Sequence, residues 1–309
     1  MRGTTDALTP AVSAPRLVLP GATYLLTRRC YQRTFRLRPH PLTNDIFLYC
    51  LGLATERHGI LVHAVCVMSN HYHAVVTDPR GILPAFLEEC HRSLAKALNA
   101  SQGQWENLWD ARPTNALVLA RVEDVLRKVG YLVTNPVDAG LVAHPHEWPG
   151  VLEWTPKTIR IARPDVYFDP AGTAPASVEL AIVLPPAAEG MPGWVEALRA
   201  EVRANLEAAH RSMRAHGMPF LGAATVKKGS FLTRAKSYEE RRRIVPKIAA
   251  ANREVRVAML RAYRAFHGLY CAALDAWRGG NREAVFPRGT WWMTVFHRAA
   301  DASAAPATG

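Results

Sequence analysis

The chain has 309 residues, 49% of them hydrophobic, and 38 Lys and Arg against 26 Asp and Glu leave a net charge of +12. That length buries a core for one large domain or two smaller ones, and the apolar content is that of an ordinary globular protein rather than a disordered or fibrous one. No run of eighteen apolar residues occurs, which argues against a membrane span, and five cysteines without a CxxC pair (Cys30, Cys50, Cys66, Cys90, Cys271) argue against a disulfide framework or a thiolate zinc site.

Residues 1–15 lack an apolar signal-peptide core and read as a disordered lead-in; the odd, widely spaced cysteines favour a reducing compartment, with the cytoplasm as the default expectation. Thr23–Arg29 is a short strand after Pro20-Gly21. Thr43 or Asn44 caps a helix through His58 that Gly59 closes. Ile60–Met68 is a buried strand, and Ser69-Asn70 turns it into a second one, His71–Thr77. An amphipathic helix follows from Ile82 to about Ala100, then a strand at Ala116–Ala120. A further helix runs from about Val122 to Thr134 and is halted by Pro136. This order predicts an α+β fold, a ferredoxin-like antiparallel sheet with helices on one face plus one more helix. A parallel doubly wound sheet is disfavoured, because the central strands are joined by a turn too short for a crossover.

Trp148-Pro149-Gly150 marks a boundary near residue 154. From 155 to 300 we expect a basic, mainly helical C-terminal extension, and over 301–309 a disordered tail. In the extension, one strand is predicted at Val178–Leu184, a helix over Trp194–His216 and a loop over 221–236. A long helix then runs from about Lys247 to Trp277. Val255, Met259, Ala262, Phe266, Tyr270, Ala273 and Trp277 form its apolar stripe, with Arg253, Arg256, Arg264 and Arg278 roughly opposite and open to phosphates. Residues 226–299 hold about sixteen Lys and Arg against about five acids, so most of the positive excess lies there. A polyanionic partner is indicated, although solvated basic faces and the arginine-rich proteins of a GC-rich genome give the same composition. Trp291 and Trp292 are read as part of a small core, with stacking on unpaired bases as the alternative.

Two motifs carry chemistry. His71 and His73 are two apart on a strand, so their rings leave one face of the sheet; alone, a His-x-His pair is a weak signal among twelve histidines. A second such pair, His144 and His146, flanks Pro145 in a loop and reads as surface. On the helix after the fourth strand, Val122, Val125, Leu126, Val129, Leu132 and Val133 form the apolar stripe, and Tyr131 projects nearly opposite. Asn135 lies one turn on, and Asp124, Arg127 and Lys128 share that polar side. Two imidazoles and an amide oxygen suit a divalent ion, Mg²⁺ or Mn²⁺, with open positions. A tyrosine beside it is a nucleophile for phosphoryl transfer, provided that its phenol, ordinarily near 10, is activated by the metal or by cations such as Arg127 and Lys128.

The segment MSNHYH resembles the HUH motif of single-tyrosine transposases. GYLVTNPVDAGLV followed by EWPG resembles the tyrosine helix of the REP-associated tyrosine transposases, a likeness covering roughly residues 16–150. Membership implies an HUH domain over about 16–154 that cuts and rejoins single-stranded, hairpin-bearing DNA through a 5′-phosphotyrosine. It further implies metal ligation by His71, His73 and Asn135, nucleophilic attack by Tyr131, and packing of Tyr72 away from the metal. Ser69 departs from the usual proline, and Val133-Thr134 from the usual pair before Asn-Pro. The expected partner is single-stranded or hairpin DNA, bound also by Arg127, Lys128, Arg253, Arg256 and Arg264, in a nucleoid-associated setting; a homodimer is left open. Two other readings stand beside this one: a host-adopted hairpin-binding protein without productive cleavage, and a phosphodiesterase that uses water.

Overall fold

The computed structural model describes residues 15–236 and 247–302. The expected lead-in, apart from residue 15, and the tail beyond residue 302 lie outside the described residues. The described chain is mixed α/β, with seven α-helices and an eight-stranded sheet. It divides into two compact units, Pro20–Arg256 and a second that joins Val257–Gly309 to Met1–Leu19.

Strand β1 (Ala22–Arg29) leads through α1 (Pro41–His58) to β2 (Leu61–Met68), which turns into β3 (His71–Asp78). Helix α2 (Leu83–Gln102), β4 (Asn115–Leu119) and α3 (Val122–Asp138) follow. The order β2-β3-β1-β4 is antiparallel throughout. Pro41, which needs no helical N–H partner in the first turn, starts α1 earlier than the Thr43 or Asn44 cap expected, with His40 as the capping residue. Gly59, at φ 58°, closes it. Side chains alternate across the sheet. Tyr72 of β3 meets Phe47 of α1 on one face (ring centroids 5.2 Å apart), whereas Leu25, Cys66, Val75 and Leu117 pack with α3 on the other.

The sheet continues past the expected boundary. Strands β5 (Leu152–Glu153) and β7 (Ser177–Ile182) pair with β2, β6 (Lys157–Ala162) pairs with β7, and β8 (Ile248–Ala249) lies parallel to β4 at the other edge. The described residues between 155 and 256 thus share the compact unit of the sheet. Trp148, read as a boundary marker, is instead an anchor: its buried indole donates to Val67 O at 3.1 Å. Of these strands, sequence periodicity suggests only β7; β6 is mostly exposed and β5 and β8 have two residues each, too short to show alternation. The loop expected over 221–236 contains a short helix, α5 (Ala223–Lys228).

Helix α3 does not stop before Pro136; it runs to Asp138. The proline removes one backbone donor, a cost that falls near the helix end. Burial of Val133 and Val137 on either side offsets it, at roughly 1.5–3 kcal/mol for each side chain. Over α3 lies α4 (Trp194–Ala215), at the span expected. Their contact is close at Gly130, where an added Cβ would come within 2.6 Å of Glu201 Cγ. Asp124, expected on the solvent side of α3, is buried and accepts the Ala251 N–H at 2.8 Å, which ties α3 to the segment after β8.

That segment delays the long helix: α6 spans Arg253–Arg278, with Asn252 Oδ1 accepting the Val255 N–H at 3.1 Å as its cap. In the second unit, Tyr270, Ala273 and Leu274 of α6 form a core with Phe286, Ala299 and Met293 of α7 (Trp292–His297). Of the tryptophans expected there, Trp291 is half-buried outside that cluster and Trp292 is 57% exposed, while Met293 is buried in it.

This packing generates two predictions. Gly130→Ala forces α3 and α4 apart or bends Glu201 from its rotamer, so denaturant unfolding should show a loss of about 1–3 kcal/mol. The second concerns His63, the extra residue where β2 pairing shifts between Val62 and Ala64. It is buried, with Nδ1 3.0 Å from Val183 O and Nε2 2.8 Å from Thr77 Oγ1, and burial pushes its imidazole down from 6.5 to about 4. Above about 6.5 neither the folded nor the unfolded form binds this proton. Between there and about 4 only the unfolded chain does, so stability falls with pH, by up to roughly 3 kcal/mol from this group. Unfolding free energies of the parent and His63→Gln, compared at pH values above and below that window, should show the shallower acid loss in the variant.

Candidate active site

The register of β1, β3 and β2 builds one side of the site. His73 lies opposite Thr27 and Cys66, and His71 opposite Arg29 and Met68. Directly opposed residues share a face, so both imidazoles emerge on the side covered by α3. The rings stand edge to face, 4.8 Å between centroids.

Each ring is held through Nδ1. His71 Nδ1 donates to Asn70 Oδ1 at 2.6 Å, and an amide oxygen can only accept, which sets that tautomer. The Asn70 amide is itself oriented, since its Nδ2 reaches Arg33 O at 3.4 Å. His73 Nδ1 lies 2.9 Å from Thr27 Oγ1. With Nδ1 used in this way, Nε2 is the atom that each ring would offer a cation. Burial, joined by the charges of His71, Arg29 and Lys128, keeps the His73 imidazole well below its ordinary range, so it is neutral at physiological pH. A neutral imidazole is the ligating form.

Helix α3 supplies the other side. Tyr131 reaches the pair, with its ring centroid 5.6 Å from that of His73. It is 37% exposed, whereas Asn135, one turn later, is buried. Burial raises the Tyr131 phenol above its usual value of 10, and the hydrogen bond from Asn135 opposes that shift. An amide can donate to the phenol oxygen through Nδ2, the sense that favours the phenolate, and Oδ1 is then its acceptor atom. Because α3 continues through Pro136, Asn135 keeps helical geometry and stays on the side of Tyr131. Lys128 Nζ sits 5.5 Å from the tyrosine ring centre, and Arg29 adds a further charge that lowers the phenol.

The structure therefore brings His71, His73, Tyr131, Asn135 and Lys128 together. Arg127 is exposed on α3. Arg253 and Arg256 are exposed at the start of α6 in the same unit, and Arg256 also donates to Ala250 O at 3.2 Å; Arg264 is exposed in the second unit. Tyr72 points to the opposite face, its hydroxyl 2.7 Å from His91 Nε2. His144 and His146 stack on each other, both exposed, on the turn before Trp148. Sequence alone does not single out Thr27 and Arg29: their roles come from strand pairing, and alternation along TYLLTRR shows only that they share a face.

Among the described residues, no group of three or more His, Cys, Asp or Glu is placed to hold a metal. A centre built from carboxylates or thiolates has no support there. The donors carried by this strand pair and by the Tyr131 side of α3 are two imidazole nitrogens and one amide oxygen, a mixed N/O set whose chemistry fits a divalent ion with open positions. One more oxygen lies on this face: Asn115, cross-strand partner of Thr27, has a buried Oδ1 without a hydrogen-bond partner.

Removing the amide by Asn135→Ala deletes the bond that lowers the Tyr131 phenol, so its titration should move further up. Phenolate absorbance against pH, read as the difference from Tyr131→Phe, checks this; a downward move would contradict the geometry.

No protein-family model matches the chain, and no curated protein matches it. Among solved structures, it is similar to a REP-associated tyrosine transposase bound to a REP hairpin, at 19% identity and a TM-score of 0.38, over 44% of this chain and 78% of that one. It is also similar to a candidate transposase from Deinococcus radiodurans, at 19% identity and a TM-score of 0.29, over 40% of this chain and 97% of that one. Scores this low leave the site to be judged on its own geometry.

Proposed function

We propose that this protein is a tyrosine transposase-type nuclease and strand transferase acting on single-stranded, hairpin-bearing DNA. The observation that carries the reading is the convergence of Tyr131 with His71, His73 and Asn135 on one sheet face. The motif resemblance of MSNHYH and GYLVTNPVDAGLV supports it. The fold reading that accompanies it is ferredoxin-like, with β1-α1-β2-β3-α2-β4 as the catalytic core and the basic C-terminal residues as an addition.

In this reading His71, His73 and Asn135 hold a divalent ion, Mg²⁺ or Mn²⁺, which when bound supplies Lewis-acid polarisation of the scissile phosphate. Tyr131 Oη attacks phosphorus, the P–O3′ bond breaks, and the DNA 5′ end remains on the enzyme as a phosphotyrosine. The phenol must lose its proton in that step, and burial works against this. Asn135, Arg29 and Lys128 act in the opposite sense by stabilising negative charge on or near the phenol oxygen. Attack of the released 3′ hydroxyl of another strand on the phosphotyrosine reverses the chemistry and joins the ends. Arg127, Arg253 and Arg256 contribute phosphate contacts that position the strand without reading its sequence, and Arg264 offers the second unit's own exposed cation to DNA.

The test is a denaturing gel after incubation with Mn²⁺ and a labelled DNA hairpin bearing single-stranded flanks. A covalent protein–DNA adduct is expected with the parent chain, and its complete loss in Tyr131→Phe. Cleavage that persists in Tyr131→Phe would assign the reaction to water, and a bound but uncut hairpin would make this a DNA-binding protein without turnover.

A further inference from the structure

The reverse side of β1 carries a second feature. Successive residues of β1 face opposite ways, so Arg29 points to the side of the histidine pair and Arg28 to the other, beside Tyr72. There the segment between α2 and β4 folds back over the strand end and encloses a cleft of about 370 Å³. Arg28, Asn99, Trp105, Asn107, Trp109 and Asp110 line it.

Most of this wall is fixed. Asn99 Nδ2 donates to Glu106 O at 2.9 Å, Tyr31 N–H to Leu108 O at 2.8 Å, Asp110 N–H to Arg29 O at 2.9 Å, and the Trp109 indole to His91 O at 2.9 Å. Trp105 takes no part in this anchoring. At 86% it is the most exposed large apolar side chain among the described residues. An indole left in water at the rim of a cleft whose other parts are tied down is a flat surface without a partner.

The polar groups narrow the choice of ligand. Arg28 lies over the Trp109 ring, 5.8 Å from its centre, and donates from Nη1 to Arg112 O, while its buried Nε has no hydrogen-bond partner. Asp110, paired with Arg112 at 2.8 Å, and Glu106 set carboxylates around the same space. Those acids disfavour a phosphate inside the cleft. A flat ring with donors and acceptors on its edge meets all three features: indole face, guanidinium donor, and amide or carboxylate acceptors.

We propose that this cleft receives one unpaired nucleobase of the DNA strand, next to the hairpin and on the reverse face of β1 from the cleavage site. An unpaired base is required because its hydrogen-bonding edge is exposed only outside a duplex. The proposal rests on the single-stranded DNA reading above, and its test separates the two.

The probes are dye-labelled DNA hairpins carrying single-stranded 5′ flanks of dG, dA, dC or dT only, and the same hairpin without a flank. Binding is read by fluorescence anisotropy in EDTA on the full chain with Tyr131→Phe, so that neither metal nor cleavage contributes. Trp105→Ala should weaken binding of at least one flanked hairpin by roughly 5- to 150-fold, the range measured for loss of one stacking partner. The blunt hairpin should be unaffected, and Trp105→Phe should restore most of the loss. As Trp105 is mostly in solvent, the substitution leaves the fold intact, which a thermal melt checks. Equal affinities of Trp105→Ala and its parent for all flanked hairpins would overturn the proposal. So would a change in oligomeric mass with DNA affinity unaltered, which would make Trp105 a contact between copies. If Trp105-dependent flank binding persists while the unmutated chain forms no covalent adduct, the cleft stands and the cleavage chemistry falls. If an adduct forms and binding does not depend on Trp105, the cleavage chemistry stands and the cleft falls.

Discussion

The pairing of β3 with β1, His73 against Thr27 and His71 against Arg29, is the constraint from which the site is built. A slip of one residue would turn both imidazoles to the face of α1 and α2, into the space that Tyr72, Phe47 and His91 fill. The buried alternation of β3 resists that slip, since Tyr72, Ala74 and Val76 on one side and Val75 on the other are almost fully enclosed. Register, ring orientation and tautomer are set together, because Asn70 and Thr27 come into reach of Nδ1 only in this pairing.

Helix α3 meets this rigid surface with a residue pattern that serves packing and chemistry at once. Val125, Leu126, Val129, Leu132, Val133 and Val137 press on the sheet and on α4, and the turn carrying Tyr131 and Asn135 is thereby aimed at the histidines. Gly130 lets α4 come close on the outer side. Pro136 would ordinarily push Asn135, the residue before it, out of helical geometry and so away from the face of Tyr131. Tertiary burial of the valines around it overrides that local preference.

Local signals explain how much of this was legible. The strand pair at β2 and β3, the helices α1, α2 and α4, and the His-x-His and tyrosine motifs all have periodicities or caps that a single segment displays. The misreadings fall where a neighbour decides. Asp124 looks solvent-facing on a helical wheel but is buried by the segment after β8. Strands β5, β6 and β8 exist because sheet edges offered them partners. Trp292 stays out of the small core because the side chain of Met293 occupies that place.

What the sequence alone determined is the chemistry on offer: a histidine pair on one side of a strand, a tyrosine and an amide on one side of a helix, and a strong positive charge. Those follow from backbone periods of two and 3.6 residues, which any segment carries within itself. Only the tertiary structure decided that the strand face and the helix face are the same place. It also decided that Thr27 and Asn70 hold the rings, and that a cleft opens behind Arg28. Distances between segments depend on which surfaces exclude water together, and no single segment encodes that.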